Sequence, residues 1–390
     1  MIIQRLKKAA LSGCLAALIM LGALSMNIYS ARQTDETTAA GTFSVSAESA
    51  VLIEAESGKI LYEKNAYEKR PMASTTKIMT GLLAIENYDL QSVVTVSHDA
   101  VGVEGSSIYL REDERLPMEE LVYALMLESA NDAAAAIAIA VGGSIGGFAE
   151  MMNSKAREIG LENTSFENPH GLDSENHYTT AYDLARLSAY ALENPAFSRI
   201  VSTHKRILKT ENGDITRLLV NHNRLLNAYD GIIGVKTGYT RRSGRCLVSA
   251  AERDGVRLVA VTLNAPDDWN DHRRMLDYGF DICENVVIES EGGFSIYAPV
   301  VGGEYEFVRC TNKSPACAVM LKNHPEITRS VELRSFYYAP IRSGDCLGKV
   351  VWYCGGERIA ETELIASDTV EPKEVRLTFK ERIKKLFGML

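Results

Sequence analysis

Residues 118–143, "MEELVYALMLESANDAAAAIAIAVGG", constrain this chain more than any other stretch. They read as two helices meeting near Ser129. The second is alanine-rich and nearly all apolar, which is the pattern of a helix buried in a core. Yet Ser129, Asn131 and Asp132 cluster at the junction, where a polar group without a partner is costly. Capping the second helix needs one such residue, not three. The other two require a different reason.

The flanking segments supply an architecture. "SAVLIEAESGKILYEKNA" gives two strand-like runs around Glu56-Ser57-Gly58, a hairpin. "TTKIMTGLLAIENY" is helical, with Ile78, Leu82 and Ile85 on one side. "TAYDLARLSAYALEN" is another amphipathic helix. "GIIGVKTGYT" and "RCLVSAAERDGVRLVAVTLNA" read as three strands, the last two joined at Asp254-Gly255. "DDWNDHRRMLDYGFDICEN" closes this part as a helix. After about residue 287 the pattern becomes short alternating runs with glycine turns and no convincing helix, predicting a small all-β domain.

Both ends differ from the body. Arg5, Lys7 and Lys8 precede an uncharged apolar run to about Met26, a charged and then hydrophobic segment typical of export signals. Ser30 and Ala31 supply small residues for cleavage, and the run is also long enough to stay as an anchor. "LSGC" ending at Cys14 resembles a lipidation box only weakly, because little apolar sequence precedes it. At the other end, Phe379, Ile383, Leu386, Phe387 and Leu390 share one helical face opposite basic residues, the pattern of an in-plane membrane helix. A terminal helix docked on the β domain is the alternative. The expected order is therefore a signal over 1–31, a polar linker over 32–43, an α/β domain over 44–286, a β-rich domain over 288–370 and an amphipathic helix over 372–390.

The net charge is −9. The N-terminal segment contributes +3 and the last sixteen residues +4, which leaves −16 on the body. So acidic a body argues against nucleic acid as a partner. Of seven cysteines, Cys310, Cys317, Cys346 and Cys354 lie close enough in sequence to pair, although free thiols fit equally well. Cys14, Cys246 and Cys283 are the others.

Three short motifs carry chemistry. Ser74 and Lys77, in "PMASTTKIMT", stand three apart and share a helical face. A serine hydroxyl needs a base to become a nucleophile, and a lysine serves only if burial or a nearby cation lowers its pKa. Alone, this spacing more often marks a helix cap and a solvated lysine. Ser129-Ala130-Asn131 adds a candidate proton relay and an amide able to contact both a substrate and Lys77. Lys236-Thr237-Gly238 adds a cation to depress Lys77, a hydroxyl for a carboxylate, and a glycine that marks close approach by another backbone. A substrate peptide lying along an edge strand would require such a glycine.

In the order S-x-x-K, S-x-N, K-T-G, these elements resemble the signature of the penicillin-recognising serine acyl-transferases. The wider stretches "GSSIYL", "ESANDAA", "ENPHGLDSENHYTTAYDLARL" and "GVKTGYTRRSGRCLVSA" are similar to the serine-type D-alanyl-D-alanine carboxypeptidases, the low-molecular-mass penicillin-binding proteins. The resemblance is dense over about 45–285 and weaker over 290–368. It implies an α/β catalytic domain of the DD-peptidase and β-lactamase type, with an antiparallel sheet flanked by helices and a helical region. A small all-β domain and a C-terminal amphipathic helix would follow. It implies Ser74 as nucleophile, Lys77 as base, Ser129 as relay, and Asn131 orienting the peptide. Lys236 and Thr237 would hold the terminal carboxylate, Gly238 would leave room, and the N–H groups of Ser74 and Tyr239 would form an oxyanion hole. It implies peptidoglycan stem peptides as substrates, β-lactams as inhibitors, the outer face of the cytoplasmic membrane as the partner of residues 375–390, and no metal or organic cofactor. His170 and Asp183 are taken as structural. Met72 stands where the family commonly has proline, and Ser243 where it has alanine.

Three rivals remain at this point. A serine β-lactamase needs a deacylating glutamate, typically in E-x-x-N; Glu162 and Glu167 lack an asparagine three residues on. A catalytically inactive wall-binding module would not need three intact motifs. An endopeptidase acting on cross-links would use the same chemistry.

Overall fold

The computed structural model describes residues 43–374; the N-terminal apolar run and the basic segment 375–390 lie outside the described residues. Strands β1 (Ser49–Glu54) and β2 (Ile60–Lys64) form the expected antiparallel hairpin. A 3-10 turn, Ala73–Thr76, runs straight into helix α1 (Lys77–Asn87). The short strands β3 (Val93–Thr95) and β4 (Arg115–Pro117) pair and lead into α2 (Met118–Leu127). Then come α3 (Asn131–Gly142), α4 (Ile145–Glu158), α5 (Ala181–Leu192) and α6 (Pro195–Val201). A second hairpin, β5 (Lys205–Lys209) with β6 (Thr216–Val220), precedes three long strands, β7 (Ile232–Thr240), β8 (Gly244–Arg253) and β9 (Val256–Leu263). Helix α7 (Asp268–Ile282) ends this part.

The main sheet is antiparallel with order β2-β1-β9-β8-β7, so β7 is an edge strand. Asp254 and Gly255 both have positive φ, +50° and +77°, as the tight turn joining β8 to β9 requires. Strand alternation divides the sheet's side chains between two faces. Val51, Ile53, Cys246, Val248, Val259 and Val261 join the large core formed with the helices. Leu52 and Leu258 point the other way, where Gly279 of α7 lies so close that a Cβ would meet them at 2.9 and 2.6 Å.

The opening segment folds as expected. Helix α3 is buried from Asn131 to Ala138. Between α2 and α3 the chain breaks at Ser129, a non-glycine residue with φ of +60°, a conformation that costs energy and persists only when its surroundings enforce it. Asp132 is satisfied by the loop beside it, accepting from Ser107 Oγ (2.6 Å) and the N–H groups of Leu110 (2.9 Å) and Ala133 (2.9 Å).

The C-terminal part contains β10 (Cys283–Glu289), β11 (Ser295–Val301), β12 (Phe307–Asn312), β13 (Ala316–Leu321), β14 (Ile327–Leu333), β15 (Tyr337–Tyr338), β16 (Cys346–Cys354) and β17 (Glu357–Ala366). Six of these form one sheet, β14-β16-β17-β12-β11-β15, and β10 pairs with β13. A separate core of Val300, Val308, Val350, Trp352 and Leu364 holds it together. The expected boundary near 287 falls inside β10.

Pairing among the clustered cysteines is not found: the six cysteines of the described residues are free. Strand geometry explains part of this. Cys346 and Cys354 bound one extended strand, which at about 3.3 Å per residue holds them far beyond the reach of a disulfide. Cys310 is buried on β12, whereas Cys317 lies on β13, in the other sheet.

Candidate active site

Ser74 is the second residue of the 3-10 turn, and Lys77 opens α1 immediately after it. The turn is held from below. Ala73 has φ of +47°, and its carbonyl accepts from Thr76 Oγ1 at 2.8 Å. His177 Nδ1 accepts the Glu167 N–H at 3.0 Å, so Nε2 carries the proton and donates to Thr76 Oγ1 at 2.8 Å. Burial pushes His177 down to about 4, which keeps the ring neutral and this tautomer fixed. Gly171, with φ of +87°, packs beneath the same turn; a Cβ there would sit 1.9 Å from the Ala73 oxygen. Met72 is fully buried in the core and its carbonyl accepts from Thr75 Oγ1 at 2.6 Å.

The Lys77 amine is enclosed and has three acceptors: Ser74 Oγ at 2.9 Å, Asn131 Oδ1 at 2.7 Å and the His170 carbonyl at 2.5 Å. Burial holds its pKa well below the ordinary lysine range, and the positive charge of Lys236 lowers it further, against a smaller opposing effect of Asp132. The geometry suits both protonation states. An ammonium fills all three acceptors. A neutral amine keeps N–H bonds to the two carbonyls and turns its lone pair toward Ser74.

His170 contributes through its backbone, which no side-chain pattern reveals. Its loop is fixed by Asn168, whose Oδ1 accepts the Gly171 N–H at 2.7 Å, and by Thr80 Oγ1, which donates to the Pro169 carbonyl at 2.6 Å. Asp183 is structural here, accepting from the Asn163 N–H and Thr164 Oγ1, each at 2.8 Å. Asn131 makes the expected contact with Lys77, and its amide nitrogen also donates to the Glu104 carbonyl at 2.5 Å. It therefore ties the 104–106 loop to Lys77.

Strand β7 forms the opposite wall. Gly238 does mark a close backbone approach, but the backbone is the protein's own. A Cβ at Gly238 would lie 3.0 Å from Ser74 N and 3.2 Å from both Thr75 N and Ala73 Cβ. Lys236 is buried, and its amine donates to the Thr237 carbonyl at 3.1 Å. Burial lowers its pKa to about 7, with Glu128 opposing the shift. Ser243 closes the turn after β7, accepting the Thr240 N–H at 3.0 Å.

Ser74, Ser129, Thr237, Gly238 and Tyr239 line one cleft of about 340 Å³. Arg245, Asp268 and Trp269 line it too, and sequence reasoning missed them. The signal was available: in the β7–β8 hairpin, Arg245 is the residue opposite Tyr239. Glu167 does not act on this cleft. It is exposed, and its carboxylate is taken up by Ser174 and Asn176.

Comparisons with known proteins point one way. Residues 34–267 match the family model described as D-alanyl-D-alanine carboxypeptidase, and residues 296–372 match the C-terminal domain of penicillin-binding protein 5. The D-alanyl-D-alanine carboxypeptidase DacF of Bacillus subtilis is 35% identical over 346 residues, covering 86% of this chain and 88% of the relative. DacC of Escherichia coli is 30% identical over 389 residues, 93% of this chain and 92% of the relative. Among solved structures, penicillin binding protein 5 from Haemophilus influenzae superposes with a TM-score of 0.65 at 26% identity, over 84% of this chain and 98% of that one. The peptidoglycan synthesis regulatory factor PBP3 from Streptococcus pneumoniae gives 0.73 at 25% identity, over 84% and 100%.

Proposed function

This chain belongs to the D-alanyl-D-alanine carboxypeptidase family, and from that premise we propose that Ser74 is the nucleophile of a serine-type hydrolase that removes the terminal D-alanine from peptidoglycan stem peptides. The observation that carries the residue assignment is the Lys77 amine, enclosed, held below its ordinary pKa, and 2.9 Å from Ser74 Oγ.

The steps follow from the arrangement. Neutral Lys77 takes the Ser74 proton as Oγ bonds to the carbonyl carbon of the penultimate D-alanine. The oxyanion is stabilised by the N–H groups of Ser74 and Tyr239. The C–N bond then breaks, and the departing D-alanine amine takes its proton through Ser129. Water attacks the ester, returns a proton to Ser74 Oγ and releases the shortened peptide. Asn131 and the His170 carbonyl aim the Lys77 lone pair throughout. Lys236 and Thr237 receive the terminal carboxylate. A β-lactam, which presents a carboxylate beside a reactive amide, enters the same way and stays on Ser74, since among the described residues no glutamate lines the cleft to activate a deacylating water.

The substrate places the enzyme outside the cytoplasmic membrane, in keeping with the N-terminal export pattern. Residues 375–390 would hold it to the outer face. Intact-mass measurement after incubation with benzylpenicillin tests the nucleophile. The adduct should be stoichiometric, persistent and absent from Ser74→Ala. Rapid turnover of nitrocefin would instead favour a β-lactamase, and absence of any adduct on folded protein an inactive wall-binding module.

A further inference from the structure

We propose that one face of the β domain, bearing Tyr297, Val301, Tyr305, Phe307, Phe336 and Tyr338, is a second membrane contact that seats in the lipid headgroup interface beside residues 375–390. The proposal rests on the reading of 375–390 as an in-plane anchor, and it gives a role to a domain that the peptidase chemistry does not use.

Strand register builds the face. On β11, Ala298 and Val300 turn into the β-domain core, so alternation puts Tyr297, Pro299 and Val301 on the opposite side. Phe307 of β12 lies opposite Pro299, and Tyr338 of β15 lies opposite Val301. Phe336 packs edge-on against Tyr338 with ring centres 5.3 Å apart, and Tyr305 stands in the loop just before β12. The six side chains are 46% to 70% exposed. Scattered singly they would need no explanation, but gathered on one end of one sheet they mark a contact surface.

The chain leaves the domain at this face. The Lys373 N–H donates to the Gly302 carbonyl at 2.8 Å, and the Glu304 N–H donates to the Glu371 carbonyl at 2.9 Å. The last described residues therefore run along the loop between Val301 and Tyr305. The basic amphipathic segment begins two residues after Lys373, at most about 7 Å of extended chain. An anchor lying in the membrane plane holds this face at the membrane surface.

The composition suits that layer. Tyrosine and phenylalanine rings settle at headgroup depth, with the tyrosine hydroxyl kept in water. Charge is not what this face offers: Arg309 lies opposite Tyr297, while Glu304 and Glu306 flank Tyr305. It binds through apolar burial, and attraction to anionic headgroups comes from the basic residues of 375–390. Salt separates the two contributions, because it screens the headgroup attraction and leaves apolar burial in place.

The test measures binding of residues 32–390 to vesicles of phosphatidylglycerol and phosphatidylethanolamine. It compares wild type, the triple variant Tyr297→Ser/Phe307→Ser/Tyr338→Ser, and the chain lacking 375–390, with thermal unfolding and penicillin acylation confirming that each is folded. The triple variant should bind roughly 10- to 100-fold more weakly, by the same factor at low and high salt. Phe307→Trp should add a tryptophan emission that brominated lipids quench beyond the wild-type level. Equal binding by the triple variant, or no added quenching, would overturn the proposal. So would tighter binding by the triple variant, which would mean that 375–390 covers this face. A wild-type dimer that the triple variant dissociates with vesicle binding unchanged would also overturn it, assigning the face to a second copy. Binding that survives deletion of 375–390 but not the triple substitution would count against the anchor alone. A wild type that stays off the vesicles would overturn both.

Discussion

The Lys77 amine lies 2.9 Å from Ser74 Oγ and 2.7 Å from Asn131 Oδ1, so the proposed base, the proposed nucleophile and the loop anchor form one connected unit. Its chemistry depends on an amine that can lose its proton. Arginine at this position stays charged. Lys77→Arg should therefore slow acylation by labelled penicillin by roughly 10²- to 10⁴-fold, the usual worth of a general base. Retention of the wild-type rate would remove Lys77 from the base role.

The two buried lysines predict two opposing pH dependences. At low pH Lys77 is protonated and cannot accept the Ser74 proton, so kcat/KM rises as it ionises. Lys236, at about 7, loses its charge as the pH rises, which pulls kcat/KM the other way. Lys236→Arg keeps the charge and should carry the falling limb to higher pH. Lys236→Gln removes the cation that lowers Lys77, so the rising limb should move upward in pH. Acylation rates from about pH 5 to about 10 read both limbs. Limbs that neither variant moves would contradict the assignment.

Two glycines should behave differently. Gly238→Ala places a methyl 3.0 Å from Ser74 N, close enough to shift the turn by a few tenths of an ångström. Activity should fall by up to about 10²-fold, with a stability cost of about 1–3 kcal/mol. Gly171→Ala meets the Ala73 oxygen at 1.9 Å and has positive φ, so folding itself should suffer more. Thermal unfolding beside acylation separates the two; a Gly171→Ala protein as stable as wild type would refute the packing described.

Deleting residues 375–390 should release the protein from membranes and leave peptidase activity intact. Fractionation of cells expressing the truncated chain decides this. Retention would favour the N-terminal segment as an uncleaved anchor.

Much of this was legible because the chemistry constrains side chains at fixed spacing. Ser74, Lys77, Ser129, Asn131 and Lys236 were proposed from residue type and order, and the fold brings Ser74, Lys77 and Asn131 within hydrogen-bond distance. The strands β7, β8 and β9 and the turn at Asp254-Gly255 followed from strand patterning and turn chemistry. What escaped was carried by backbone or by register. The His170 carbonyl has no side-chain signature. Arg245 emerges only when the β7–β8 pairing is worked out. Gly238 was recognised as a close approach, but a sequence does not say which backbone approaches. The cysteines stayed open in the sequence because proximity along strands is not proximity in space, and the six described ones are free.

The most direct test of the central claim is D-alanine release from diacetyl-L-Lys-D-Ala-D-Ala, wild type beside Ser74→Ala. Release by the wild type that vanishes in the variant is the predicted result. Equal release by both proteins would contradict Ser74 as nucleophile, and no release by a folded wild type that still binds penicillin would contradict the carboxypeptidase assignment.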